Sequence, residues 1–118
     1  MDNDRELLEL AAKAAKIDGR YASLDEFPDW MTVHDGEGVY YTSSQAWNPL
    51  TDDGDALQLA IKLGMNIYTG HIKMIVELPS DGDDPAIQTS EPKLDDPCAA
   101  ARRAIVRAAA EIGRSKND

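Results

Sequence analysis

The sequence has one cysteine, Cys98, in 118 residues. No intramolecular disulfide can form from it, and a cysteine-rich structural zinc site is excluded. No apolar run approaches the roughly 18 residues that a membrane span needs. The opening Met1-Asp2-Asn3-Asp4 is acidic and lacks the basic-then-apolar layout of a secretory leader. Basic residues are scarce, 12 Lys and Arg against 22 Asp and Glu, for a net charge of −10. Such a surface repels nucleic acid and anionic lipid over most of its area. Walker, Rossmann and zinc-protease patterns are missing, and so is any internal repeat. These absences predict a cytoplasmic protein with no nucleic-acid partner, no membrane partner and no cofactor.

What remains is the composition of a globular domain. Apolar residues make up 42% of the chain and charged residues 29%, close to the averages for folded proteins. The length suits a single domain over residues 1–118, large enough to bury a core without covalent staples.

Along the chain, Leu7, Leu10, Ala11, Ala14 and Ile17 recur at spacings of three and four, which predicts a helix with one apolar face. Asp2, Asp4 and Glu6 suit its N-terminal dipole, and Gly19 is a natural stop. Residues 20–37 are less regular, with anchors at Tyr21, Leu24, Phe27, Trp30, Met31 and Val33. A short strand near Trp30–His34 is expected, joined through Asp35–Gly38 to a second at Val39–Thr42 as a hairpin. A connector ends in Trp47-Asn48-Pro49-Leu50. The second helix follows, capped by Thr51, Asp52 or Asp53, with a stripe of Ala56, Leu57, Ala60, Ile61 and Leu63 and a stop at Gly64.

Met65–Tyr68, a Thr69-Gly70 turn and the alternating Ile72–Leu78 predict two further strands. Residues 79–96 hold three prolines and two acidic clusters, the pattern of a long acidic loop with a short strand around Ala86–Thr89. Asp96 and Pro97 then open a third helix, with Ala101, Ala104, Ile105, Ala108 and Ile112 on one stripe and Gly113 as its stop. The order α-β-β-α-β-β-α places three helices around a small, mainly antiparallel sheet, a layered α+β domain.

Three stretches are similar to one family. The segment from Trp47 to Leu57 with Leu59–Gly64, the opening Leu7–Ala15, and the ending Asp96–Ile105 resemble the phage ABA sandwich domain family. Those small phage and prophage proteins look distantly related to the NinX-type proteins of lambdoid phages. The resemblance covers most of the chain apart from residues 20–37 and the acidic loop. It implies an α/β/α layered sandwich and a phage or prophage origin, and it brings no activity to any residue.

Two constellations stand out as ligand sites. Tyr40, Tyr41, Trp47, Asn48, Pro49 and Thr51 set aromatics beside polar side chains at a helix N-terminus, where free N–H groups favour a planar ligand with a phosphate. Asp52, Asp53 and Asp55 oppose an added anion there, so the same residues also fit a capped helix with Trp47 pinned in the core. Arg102, Arg103, Arg107 and Arg114 give the last helix a basic stripe suited to a phosphate or an acidic partner, or to pairing within the molecule. The acids at 52, 53 and 55 lack calcium-loop spacing, and Asp81-Gly82-Asp83-Asp84 reads first as a solvated loop, so no metal is expected. His34, His71 and Cys98 lie in no nucleophile motif.

These features predict an accessory protein that binds a host protein without catalysis. A small-ligand binder, such as a sponge for a nucleotide defence signal, and a small hydrolase using His34 or His71 are the alternatives. A homodimer is compatible with these features, since small domains often bury a sheet edge or a helix face by self-association.

Overall fold

The structure is a computed structural model that describes residues 4–17, 20–23, 38–41, 46–78 and 86–115. In chain order the described elements are α1 (Asp4–Ala15), β1 (Arg20–Ser23), β2 (Gly38–Tyr41), β3 (Ala46–Trp47), α2 (Asp53–Leu63), β4 (Asn66–Thr69), β5 (Lys73–Leu78), β6 (Ile87–Pro92) and α3 (Pro97–Ser115). The domain is α+β, with three helices packed in layers against antiparallel strands. Among the described residues those strands form two three-stranded sheets, in the orders β1-β2-β3 and β4-β5-β6.

α3 is the hub, packing against α1, α2, β5 and β6. Its sequence explains how it serves so many neighbours. Ala104, Ile105, Val106, Ala108, Ala109 and Ala110 are all buried, so apolar surface wraps most of the helix rather than forming the single stripe expected. The alanines let α1 approach closely, and α1 meets them with its own Ala11, Ala12, Ala14 and Ala15. Gly113 carries this furthest. It lies inside the helix, and an ideal Cβ there would sit 2.0 Å from the Leu10 carbonyl oxygen. Gly113 is therefore a point of backbone contact between α1 and α3 and not the stop that local propensity suggests.

α1 ends before Gly19. Lys16 adopts φ 58°, the left-handed region, its N–H bonds the Lys13 carbonyl (3.2 Å), and the Ile17 N–H bonds the Ala12 carbonyl (2.9 Å). α2 closes with the same pattern at Gly64, φ 70°, where Gly64 N–H bonds Ile61 O (3.2 Å) and Met65 N–H bonds Ala60 O (3.0 Å). Both are Schellman closures, and each returns an apolar residue, Ile17 or Met65, to the core.

In the second sheet, Met74, Val76 and Leu78 face α3 and are buried, while Lys73, Ile75 and Glu77 face away. Thr89 on β6 is buried among them, and its hydroxyl donates to the Ala104 carbonyl at 2.7 Å, tying sheet to helix. The expected strand at Ala86–Thr89 extends to Pro92, so the acidic stretch is shorter than the sequence suggested. Residues 79–85, with the Asp81–Asp84 cluster, lie outside the described residues, as does the Trp30–His34 strand. β2 pairs instead with β1, Arg20 opposite Tyr41, and with β3, Tyr40 opposite Trp47.

Candidate functional site

The turn between β3 and α2 is built around Asn48. Its carbonyl accepts from the N–H groups of Thr51 (3.2 Å) and Asp52 (2.9 Å). Its side-chain oxygen accepts from the Leu50 N–H at 3.0 Å, and its own N–H donates to Asp55 Oδ2 at 2.9 Å. Trp47 and Pro49, on either side, are buried and anchor the turn. Asp52 is the N-cap of α2: its carboxylate accepts from the Asp55 N–H at 2.9 Å. Burial raises the pKa of Asp55 above its ordinary value. The Asn48 N–H pulls it down in part, and the Asp52 charge pushes it further up.

α3 closes the turn from the other side. Arg102 Nε donates to the Leu50 carbonyl at 2.9 Å, and its guanidinium meets Asp53 Oδ1 at 2.6 Å. Arg102 thus joins the two constellations through Leu50 and Asp53, with its donors turned inward. A ligand seeking Arg102 has to displace both Leu50 and Asp53, and it meets three carboxylates at the same helix end. Thr51 is exposed and takes part through its main-chain N–H. Tyr41 is placed by its backbone, opposite Arg20 and Ala46.

The other arginines do not converge on this turn. Arg103 pairs with Asp4 of α1 at 3.3 Å. Arg107 donates to the Ser90 carbonyl at 3.1 Å and pairs with Glu91. Arg114 pairs with Glu111 one turn away. Glu91 comes from the acidic stretch, but Asp53 and Asp4 do not. The Arg103–Asp4 and Arg114–Glu111 pairs lie at largely exposed positions, where such pairs contribute about 0–1 kcal/mol each.

No catalytic arrangement emerges from the described residues. His71 is exposed and no hydrogen bond joins it to a carboxylate or a nucleophile there, Cys98 is exposed, and His34 lies outside them. Among the described residues no three His, Cys, Asp or Glu side chains are arranged to hold a metal ion, and no helix is long and apolar enough to cross a membrane.

One surface departs from expectation. Ala56, Leu59 and Ala60 are the buried face of α2, whereas Leu57 is 55% exposed and Ile61 70% exposed. The expected stripe was therefore rotated. The signal was present: positions 56, 59, 60 and 63 form the cleaner i, i+3, i+4, i+7 series and leave 57 and 61 on a second face. The chain matches no protein-family model, no curated protein and no solved structure.

Proposed function

We propose that the protein is a phage or prophage accessory protein that acts by binding a host protein, without chemistry of its own, in the cytoplasm of a bacterial host. The observation that supports this is the outward pair Leu57 and Ile61, 55% and 70% exposed and one helical turn apart. A helix that already buries one apolar face gains nothing in its own fold from a second, and exposed large apolar side chains at that spacing suit the groove of a partner. The pair is held in place beforehand. α2 is capped at its start by Asp52 and at its end by Gly64, and Arg102 ties Asp53 to α3. Little ordering is left to oppose binding. With a net charge of −10, the complementary partner presents an apolar groove with a basic rim.

The test is capture from host lysate by the wild type and by a Leu57→Gln/Ile61→Gln variant, with mass spectrometry of small molecules eluted from the wild type. The expected result is a host protein held by the wild type and reduced at least tenfold on the variant, at unchanged thermal midpoint. Equal capture by both proteins overturns the reading, and a stoichiometric co-purifying small molecule replaces it with ligand binding.

A further inference from the structure

The sheet β4-β5-β6 has two edges, and they are treated differently. Lys93 N–H bonds Ile72 O at 2.9 Å. Because antiparallel hydrogen bonding alternates along each strand, Gln88, Ser90 and Pro92 then turn their main-chain groups to the outer edge of β6. That edge is obstructed at its Ser90–Pro92 end. Arg107 occupies the Ser90 carbonyl and pairs with Glu91, and Pro92 has no N–H to offer. Charges and prolines are the usual protections of a sheet edge.

By the same alternation, Asn66 and Tyr68 bond β5, and Ile67 and Thr69 turn their N–H and C=O groups outward. Among the described residues no strand pairs with this edge. Asn66-Ile67-Tyr68-Thr69 has no charge and no proline, all four residues are exposed, and it favours strand pairing through Ile67, Tyr68 and Thr69. Ile67 lies on the helix-facing side, in a row with Val76 and Thr89, which are 0% and 7% exposed. Ile67 itself stays 37% exposed, because the row stops at the edge.

We infer that β4 is the pairing edge of a homodimer, in which a second copy of the chain continues the sheet antiparallel across a two-fold axis. Three observations select a second copy. The strand is self-complementary in one register. An axis perpendicular to the sheet keeps each face on its own side, so a residue must meet one of equal parity. Centred on Tyr68, that register sets Tyr68 against the partner's Tyr68 on the open face. It also lets Ile67 and Thr69, the two outward-facing residues, exchange hydrogen bonds with the partner's Thr69 and Ile67, leaving no outward group unpaired. Next, the helix-side row that ends at Ile67 is continued by the partner's Thr69. Last, charge directs copies to this edge. Residues 56–78 carry only Lys62, Lys73 and Glu77, a net of +1, while the rest of the chain carries −11. Two copies repel over most orientations and less where the 56–78 stretch, which holds β4, faces its copy. The contact is isologous, and it lies on a different element from the Leu57–Ile61 face, so it stands or falls apart from the host-binding reading.

The experiment is sedimentation of the full chain over a concentration series reaching the millimolar range, with hydrogen exchange at both ends. The expected result is a reversible dimer, with β4 amides gaining protection as concentration rises. Tyr68→Lys, which sets two like charges face to face at the axis, should weaken dimerisation at least tenfold, and so should Ile67→Lys. Tyr68→Phe and Leu57→Gln/Ile61→Gln should leave it intact. Tyr68 is 49% exposed, so its lysine variant should keep the wild-type thermal midpoint when dilute. A protein that stays monomeric throughout overturns the inference. A dimer that survives Tyr68→Lys, or that is lost in Leu57→Gln/Ile61→Gln, also overturns it.

Discussion

Replacing Gly113 with alanine adds one methyl group, and the sign of the result tests the α1–α3 contact. On an isolated helix the change is favourable, since alanine exceeds glycine in helix propensity by about 0.8–1.0 kcal/mol. Here the new Cβ would lie 2.0 Å from the Leu10 carbonyl oxygen, 2.8 Å from its carbon and 3.1 Å from its Cα. Non-bonded carbons sit about 3.5–4.0 Å apart at best separation, so α1 must retreat by on the order of 1 Å. The obstacle is main chain, which no rotamer change relieves. That retreat loosens Ala11, Ala12, Ala14 and Ala15, all buried. Overpacking a well-filled interior costs about 1–3 kcal/mol, and the upper end applies where backbone must move. Less the propensity gain, Gly113→Ala should destabilise by about 2 kcal/mol and lower the thermal midpoint by roughly 6–12 °C. Urea denaturation followed by circular dichroism measures it. Leu10→Ala should not rescue the variant, because the clash is with the Leu10 carbonyl and not its side chain. An unchanged or raised midpoint for Gly113→Ala would refute the close approach.

Other substitutions read other parts of the structure. Lys16→Gly should stabilise by roughly 0.5–1 kcal/mol, because the left-handed closure of α1 costs lysine about 1–2 kcal/mol and glycine less, offset in part by the looser unfolded chain; a lower denaturation midpoint would contradict the φ of 58° at Lys16. Trp47→Ala should cost about 3–5 kcal/mol, as for other large buried aromatics, and a midpoint shift near zero would place Trp47 outside the core. For Asp55 the folded pKa is raised, so its protonated form favours the fold: the contribution is full below the unfolded carboxylate pKa and is lost as pH rises through the folded one. Asp55→Asn keeps an oxygen for the Asn48 N–H, so its stability relative to wild type should improve with rising pH across that range. A flat or opposite trend in denaturation midpoints against pH would show that burial does not govern this carboxylate.

Local signals in the sequence located the three helices, the Asp96 cap, the Gly64 closure and the alternating strand at 72–78, and narrowed the α2 cap to Thr51, Asp52 or Asp53, because capping and periodicity act over a few residues. Asp96 Oδ1 does accept from the Ala99 N–H, at 3.0 Å. What stayed hidden depends on distant partners. Gly113 reads as a stop until α1 is laid against it. Ala109 and Ala110 look peripheral to a stripe until α3 is enclosed by neighbours on several sides. Lys16 gives no hint of a left-handed conformation, since lysine has no preference for it. At the candidate site, the sequence pointed to Asn48 and Arg102 separately. Nothing within either motif says that Arg102 would bond the Leu50 carbonyl, 52 residues away.

The pairing of α1 with α3 also has a consequence in time. Arg103 and Asp4, which meet across that contact, are 99 residues apart in sequence. During synthesis at about 5–20 residues per second, α1 waits roughly 4–16 s for the residues up to α3 to be made. Throughout that interval its alanine and leucine face lacks its main partner, and the Asn48 turn lacks Arg102. The core is completed by α3, and a ribosome stalled before residue 97 holds a chain whose α1 face is still open to chaperones.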